Sequence, residues 1–578
     1  MSGKSSVSSL DSKQPAVTIV QQTLIPTQNY DGTSGVLAGG GSLEFYEPIP
    51  EYEGRHRYDP LAEWTEKEEK QLVRRLDYRI CSWVCLMFFA LQLDRGNIGQ
   101  ALSDGMLDDL GLSTNQYNYG MTIFYLCFLC AEVPSQMISK KLGPDVWIPI
   151  QMVLWSVVGI CQGLVSGEHS FYRVVSLSLS PPSLSSLLLV PQYNIHCGFI
   201  YLPVDSNSFY ATRALLGLIE DGFIPDALLY LSYFYTNKEL PMRVAFFYCY
   251  SNGTAIVAAF LAFGILRMRS IGDWEGWRWL FVLEGVLTLI IGVISWFYLP
   301  PGPTQTASWF RGKDGWFSER EEVIMVNRVL RDDPGKGGMH NRQGLTPKLL
   351  WDALMDYDLW PMYLISLTLL VPTNPESAYL TLFLKSLGFD TFEVNLLTIP
   401  AHVLFLIQLI FWSWVSEKIN NRMAIVLFYS FWVFPLLMAL ELMPATTSPW
   451  SWYAVTVLVI GFPYVHSINV SLISRNAGSV RTRTVGSAVY NMICQAGAII
   501  SSNIYRTDDK PYYRKGNKIL LAIVAWNVMV TIFIKVYYTR RNKTREQDWN
   551  AMSPEQKHHY LSTTKDEGNK RLDFRFAH

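Results

Sequence analysis

Residues 209–235 read FYATRALLGLIEDGFIPDALLYLSYFY. A bilayer-spanning helix needs about 20 predominantly apolar residues, and this stretch is long enough. It nevertheless carries Arg213, Glu220, Asp221 and Asp226. At helical periodicity Arg213 and Glu220 lie two turns apart on nearly the same face. A charge near the bilayer centre costs roughly 2.5–3.5 kcal/mol on insertion scales, so such groups face a water-filled cavity or a partner and mark function. The competing reading is that the arginine and the carboxylates only neutralise one another inside a helix bundle.

The rest of the chain fits a membrane protein built around that helix. Of 578 residues, 49% are hydrophobic and 14% aromatic while only 17% are charged, and long apolar runs recur from Ile80 to Tyr538. The composition gives an all-α polytopic membrane protein set in a lipid bilayer. A net charge of −1 offers nothing to a nucleic acid. The polar start MSGKSSVSSLDSKQ has neither a secretory signal nor an Arg-rich transit peptide, so the first span also serves for targeting. Cys81, Cys85, Cys127, Cys130, Cys161, Cys249 and Cys494 fall in spans and only Cys197 outside, which argues against a disulfide framework or a metal site. No cofactor is implied, and no nucleophile–base set that an enzyme would need is visible.

Residues 1–75 read as a cytoplasmic tail, with a Gly-rich linker near Gly39 and a charged helix over Glu66 to Arg79 lying on the membrane surface. Spans are expected at roughly 80–98, 117–139, 146–166, 209–235, 244–266 and 279–299, then 360–384, 392–415, 423–442, 452–474, 484–505 and 517–538. Two pseudo-symmetric six-helix halves, 76–299 and 359–538, thus flank a central loop, 300–358, with a tail at 539–578. In the loop, Ser318 and Glu321 form a capping box and Asp332-Asp333-Pro334-Gly335 stops the helix. Thr346 with Pro347 starts a second helix, and the loop is expected to act as a strut between the halves.

Basic loops at Lys140-Lys141, Lys238 to Arg243, Lys418 to Arg422 and Arg475 to Arg483 fall on one face with Arg74, Arg75, Arg79 and the tail Arg540, Arg541, Lys543 and Arg545. Both termini are therefore expected in the cytosol. One segment fits poorly. Between a first Ser-Phe-Tyr at Ser170 and a second at Ser208 lies a Ser- and Pro-rich piece, and removing Arg173 to Tyr210 would leave SFYATRALLG, a short connection into the fourth span. The piece reads as an insert or a retained intron, the alternative being a genuine outer loop.

Among residues suited to chemistry, Asp94 and Arg95 close the first span in LQLDRGNIGQAL; as neighbours they project on different faces and cannot cancel each other. Glu132 lies in the second span, and Trp277, Arg278, Trp279 and Glu284 open the sixth, where an aromatic belt with an arginine anchor is the plain reading. In the second half His402 and His466 lie inside spans, where a histidine can titrate near neutral pH, the plainer reading being packed, hydrogen-bonded groups; Asn469, Asn491 and Gln495 offer neutral donors to a polar substrate.

With LDRGNIGQAL, AEVPSQMISKKLGP, TRALLGLIEDGFIPDALLYLSYFY, GWRWLFVLEG, YLTLFLKSLGF, NLLTIP, WVSEKINNR and SAVYNMICQAGAIISSNIYR, the chain resembles the major facilitator transporters, and among them the fungal allantoate permease-like branch of the anion:cation symporters. The likeness runs from about Leu76 to Tyr538 apart from the insert. It implies about twelve helices in two halves and proton-coupled import of a small organic anion, such as an allantoate-, pantothenate-, nicotinate- or biotin-like carboxylate, by alternating access. By the same resemblance Asp94, Arg95, Arg213 and Glu220 match the family's binding and proton-coupling positions: Arg95 and Arg213 for the anion, Asp94 and Glu220 for protons. Asp221 stands where a small residue is common. The chain is taken as a monomer of the plasma membrane; a nutrient sensor with a transporter fold is the alternative.

Overall fold

The structure, a computed structural model, describes residues 47–48, 50, 52–164, 206–236, 239–332, 348, 351, 354–419, 421–477, 480–564 and 568–578. Its regular elements among these residues are helices, apart from one isolated bridge between Ser308 and Gly312.

Helix α1, Glu66–Leu76, begins at a capping box in which the Thr65 N–H donates to the Glu68 carboxylate at 2.8 Å while the Thr65 hydroxyl accepts from the Glu68 N–H. A π turn, Asp77–Cys81, then leads without interruption into α2, Ser82–Ser103. The helix expected over Glu66 to Arg79 therefore forms, but as a direct extension of the first span rather than as a separate element on the membrane surface.

The first half continues with α3 (Thr114–Leu142), α4 (Pro144–Leu164), α5 (Ser206–Glu220) with α6 (Phe223–Phe234), α7 (Leu240–Ile265) and α8 (Gly276–Tyr298). Helix α9, Glu319–Asp332, belongs to the central loop. The second half comprises α10 (Trp360–Thr368) with α11 (Asn374–Ser386), α12 (Thr391–Leu397) with α13 (Ile399–Ile419), α14 (Arg422–Leu442), α15 (Pro449–Ile460) with α16 (His466–Asn476), α17 (Val480–Ser502) and α18 (Arg514–Ala551). Helix α19, Pro554–Thr563, closes the chain's regular structure. Taking the broken pairs as single spans gives twelve, each overlapping its expected range.

Among the described residues, seven helices are long and apolar enough to cross a membrane unaided. The fourth, seventh and tenth spans are each broken in two and are not among the seven. The break in the fourth span shows how such an interruption is tolerated. Gly222 takes φ +90°, a left-handed conformation that glycine adopts without penalty, and a Cβ there would come within 2.1 Å of the Ser135 hydroxyl oxygen. The carbonyls released at the break are taken up by the third span: the Gln151 side-chain amide donates to Asp221 O at 2.6 Å and to Ile219 O at 3.1 Å.

The two halves meet at the end of the bundle opposite the termini. There Asn118 donates to the Tyr505 carbonyl at 2.7 Å and accepts from the Tyr379 hydroxyl. Thr381 donates to Gly99 O at 2.6 Å, Lys385 to Ser103 O at 2.9 Å and Asn503 to the Thr122 hydroxyl at 2.7 Å. This far end is closed.

At the near end each half has its own cover. Arg57 pairs with Glu322 at 2.9 Å, Arg75 with Glu321 at 2.6 Å, and Arg331 donates to Ala62 O at 2.7 Å, so α9 is bound to the segment leading into the first span. Arg328 ties the same helix to Phe234 O at 2.6 Å. The Ser318–Glu321 capping box is present, with the Ser318 N–H donating to Glu321 at 3.0 Å. Within the central loop α9 thus packs on the first half while Asp356 and Asp358 are held by the second half and its tail, through Asn569 at 2.7 Å and Arg545 at 3.1 Å; the second helix expected at Thr346 falls largely outside the described residues. In the second half Phe576 returns to stack on Tyr538 at a ring separation of 4.9 Å, beneath the Arg545 guanidinium, which also pairs with Asp358 at 3.1 Å. Of the segment Arg173 to Tyr210, only the part from Ser206 onward is described, and it forms the start of α5. The seven described cysteines are free, and Cys197 lies outside the described residues.

Candidate binding and proton-coupling site

The fourth span brings Arg213 and Glu220 into the first half, and the first span meets it there. Arg95 Nε lies 2.7 Å from Glu220 Oε2; the arginine side chain keeps 24% of its surface exposed, the glutamate 2%. The guanidinium also sits over the Phe128 ring, 5.2 Å from its centroid, and its Nη2 is buried without a partner among the described residues. Glu220 therefore pairs with the first span, not with the arginine on its own helix. Arg213 turns instead to the third span, donating to Gln162 Oε1 at 2.5 Å, and lies over the Phe209 ring at 5.6 Å. Helical spacing places Arg213 close enough to Glu220 for a Coulombic attraction, but no hydrogen bond joins them among the described residues.

Asp94, the neighbour of Arg95, points away from this pair. Its Oδ2 accepts from the Trp155 indole N–H at 3.1 Å on the third span, as expected for adjacent residues on different helix faces. Two further carboxylates, Asp221 and Asp226, belong to the break in the fourth span. The backbone of Asp221 is held by Gln151 and Ser135, the side chain of Asp226 accepts from Gln136 at 3.3 Å, and Glu132 of the second span lies within Coulombic reach of Asp221.

The second-half candidates are placed differently. Asn469 on α16 is fully buried, and neither of its amide atoms has a partner among the described residues. Asn491 and Gln495 sit one turn apart on α17, the first exposed and the second half-buried. His466 is within 3.2 Å of the Tyr490 hydroxyl, and His402 is half-buried. Among the described residues no hydrogen bond links Asn469, Asn491 or Gln495 to the four charged residues of the first half. The site residues that sequence reading did not single out are Gln162, Trp155 and Phe128; the two amides of the mostly apolar third span, Gln151 and Gln162, were the available signal for Gln162. No group of three or more His, Cys, Asp or Glu able to hold a metal occurs among the described residues.

Residues 84–502 match the family model described as Major Facilitator Superfamily. The chain belongs to the major facilitator superfamily. An uncharacterized transporter of Saccharomyces cerevisiae is 42% identical over 529 residues, covering 91% of this chain and 90% of the relative. Among solved structures, the proton:xylose symporter XylE superposes with a TM-score of 0.55 at 14% identity, over 80% of this chain and 96% of that one. A bacterial homologue of the human lysosomal transporter Spinster gives 0.52 at 13% identity, over 79% and 96%. The chain thus has the major facilitator fold, with about twelve helices in two halves. Membership makes the chain a multi-pass membrane protein and a secondary transporter acting on a small molecule, rather than an enzyme.

Proposed function

We propose that this major facilitator imports a small organic anion together with protons, as a member of the allantoate permease-like branch of the anion:cation symporters. The observation that carries this reading is the buried ion pair between Arg95 and Glu220 across the first and fourth spans, with Arg213 beside it. While Glu220 is ionised it occupies Arg95. A proton on Glu220 removes that attraction and frees the guanidinium, whose planar fork pairs bidentately with a carboxylate. Proton and anion are then taken up together because one releases the receptor for the other. Burial favours the neutral form of a carboxyl group and a nearby cation the ionised form, so opening and closing the cavity changes its hold on the proton.

In this reading Arg95 and Arg213 bind the anion, Asp94 and Glu220 exchange protons, and Asn469, Asn491 and Gln495 contact the polar remainder of the substrate after rearrangement of the second half. The carrier works as a monomer in the plasma membrane with both termini in the cytosol, so the closed far end faces outward. A growth screen in yeast lacking its own vitamin and allantoate permeases supplies the substrate. Uptake of that radiolabelled compound by proteoliposomes should rise when the outside is acidified. Binding without uptake would instead make the chain a sensor.

A further inference from the structure

The sixth span holds a carboxyl group with no visible role in packing or pairing. Glu284 is 2% exposed, both of its carboxyl oxygens are buried, and neither has a hydrogen-bond partner among the described residues. The nearest hydroxyl on its own helix is spent elsewhere, since Thr288 donates to the Glu284 backbone carbonyl at 3.1 Å. The charged group within Coulombic reach of Glu284 is Asp94 on the first span, whose carboxylate also bonds to Thr288, one turn along the sixth span from Glu284. The third span carries a single charged residue, Asp145, in its first turn at the near end, and the fifth likewise only Arg243, which is paired with Asp77. Arg95, next to Asp94, is held by Glu220, and Arg267 beyond the fifth span stacks on Phe263 and Phe392. Arg278, on the same helix, pairs with Glu275 and reaches Gly163 O, so among the described residues no cation pairs with Glu284.

An ionised carboxylate with neither donor nor counter-charge is not sustained in an apolar interior; the group takes up a proton instead. A second carboxylate close by adds to the penalty, and two such groups hold one proton between them and titrate as a pair. Asp94 is only half-buried and stands within Coulombic reach of both Glu284 and Glu220, which links Glu284 to the Arg95–Glu220 pair. We propose that Asp94 and Glu284 form a carboxyl pair that shares one proton, with Glu284 its protonated member in this conformation, and that the pair is a second proton site of the carrier. Its part in transport rests on the proton-coupled reading above; its existence does not. Because Asp94 and Arg95 are consecutive on one rigid helix, a movement of the first span that carries Arg95 towards an anion also shifts Asp94 against Glu284 and changes the pair's hold on the proton.

Infrared spectroscopy of the purified full chain in lipid nanodiscs tests the pair without any substrate, because a protonated carboxyl group has a carbonyl stretch distinct from the carboxylate bands. At neutral pH the spectrum of Glu284→Gln should lose one protonated-carboxyl component relative to the parent. Asp94→Asn should retain that component and change the pH at which it disappears; this second variant decides the matter should the first fail to fold. A component unchanged in Glu284→Gln, or a titration unmoved in Asp94→Asn, would overturn the pair. In proteoliposomes, loss of uptake driven by a pH gradient in Glu284→Gln is expected. Undiminished gradient-driven uptake in that variant would remove the pair from coupling, whereas a parent protein indifferent to the gradient would defeat the proton-coupled reading and leave the infrared result intact.

Discussion

Arg95 and Glu220 meet at 2.7 Å although 125 positions separate them in the chain, and Arg213, seven residues from Glu220 on the same helix face, bonds to Gln162 instead. The two arginines thus have different duties in this conformation. Arg95 is held by the group proposed to carry the proton, while Arg213 is held by a neutral amide.

That difference gives the first prediction. Glu220→Gln fixes a neutral side chain and releases Arg95. Exchange of internal for external substrate should persist, since it needs no net proton movement, while uptake driven by a pH gradient should fall to background. Arg213→Lys should weaken binding itself because an ammonium cannot reproduce the guanidinium fork. The readout is gradient-driven uptake beside exchange in proteoliposomes; preserved gradient-driven uptake in Glu220→Gln would remove that residue from the mechanism.

Gly222→Ala should destabilise the first half. The left-handed backbone alone costs an L-residue roughly 1–2 kcal/mol, and the new methyl meets the Ser135 hydroxyl, 2.1 Å from where its carbon would sit. Thermal unfolding should show a lower midpoint, and adding Ser135→Ala should restore part of it by removing the hydroxyl oxygen, while the 2.9 Å approach to the Ser135 Cβ and the backbone strain remain.

Asn118→Ala should loosen the far end. It strips partners from the Tyr379 hydroxyl and the Tyr505 carbonyl, and a buried polar group left unpaired costs about 1–3 kcal/mol. A cysteine placed one turn deeper, Thr122→Cys in a cysteine-free background, should then react faster with a membrane-impermeant thiol reagent added from the far side. An unchanged rate would show that Asn118 does not hold this end shut.

Deletion of Arg173 to Tyr210 should leave a foldable carrier. Phe209 is buried and stacks with Tyr117 at a ring separation of 6.3 Å, and the deletion moves Phe171 and Tyr172 into the places of Phe209 and Tyr210. Mature transcripts should lack the segment if it is a retained intron. Transcripts that all retain it, together with a deletion variant that fails to reach the membrane, would mark it as a genuine part of the protein.

The spans were legible because a bilayer imposes both length and apolarity, and Arg95, Arg213 and Glu220 stood out because charges within such segments are few. Which arginine takes Glu220 was not legible: the pairing depends on how the first span packs against the fourth, whereas helical spacing speaks only of neighbours on one helix. Glu284 was read with the Trp277–Trp279 belt, yet it lies further along the helix, and its lack of partners emerges only when the third and first spans close around it. The polarity of the terminal segments suggested solvent-exposed tails. The cover at the near end instead depends on long-range pairs such as Arg57 with Glu322 and Arg545 with Asp358, which no local pattern announces.

The interrupted fourth span has a consequence for biogenesis. A helix with a gap in its backbone ladder and four ionisable side chains is a poor substrate for insertion by itself, since each unsatisfied carbonyl in lipid costs several kcal/mol. The amide that covers the gap belongs to Gln151, on the span synthesised immediately before it. The order of translation therefore delivers the chaperoning group first, and the fourth span enters the bilayer as the second member of a pair. Substituting Gln151 would then be felt during synthesis, as a failure of the newborn chain to integrate, before any effect on the mature carrier.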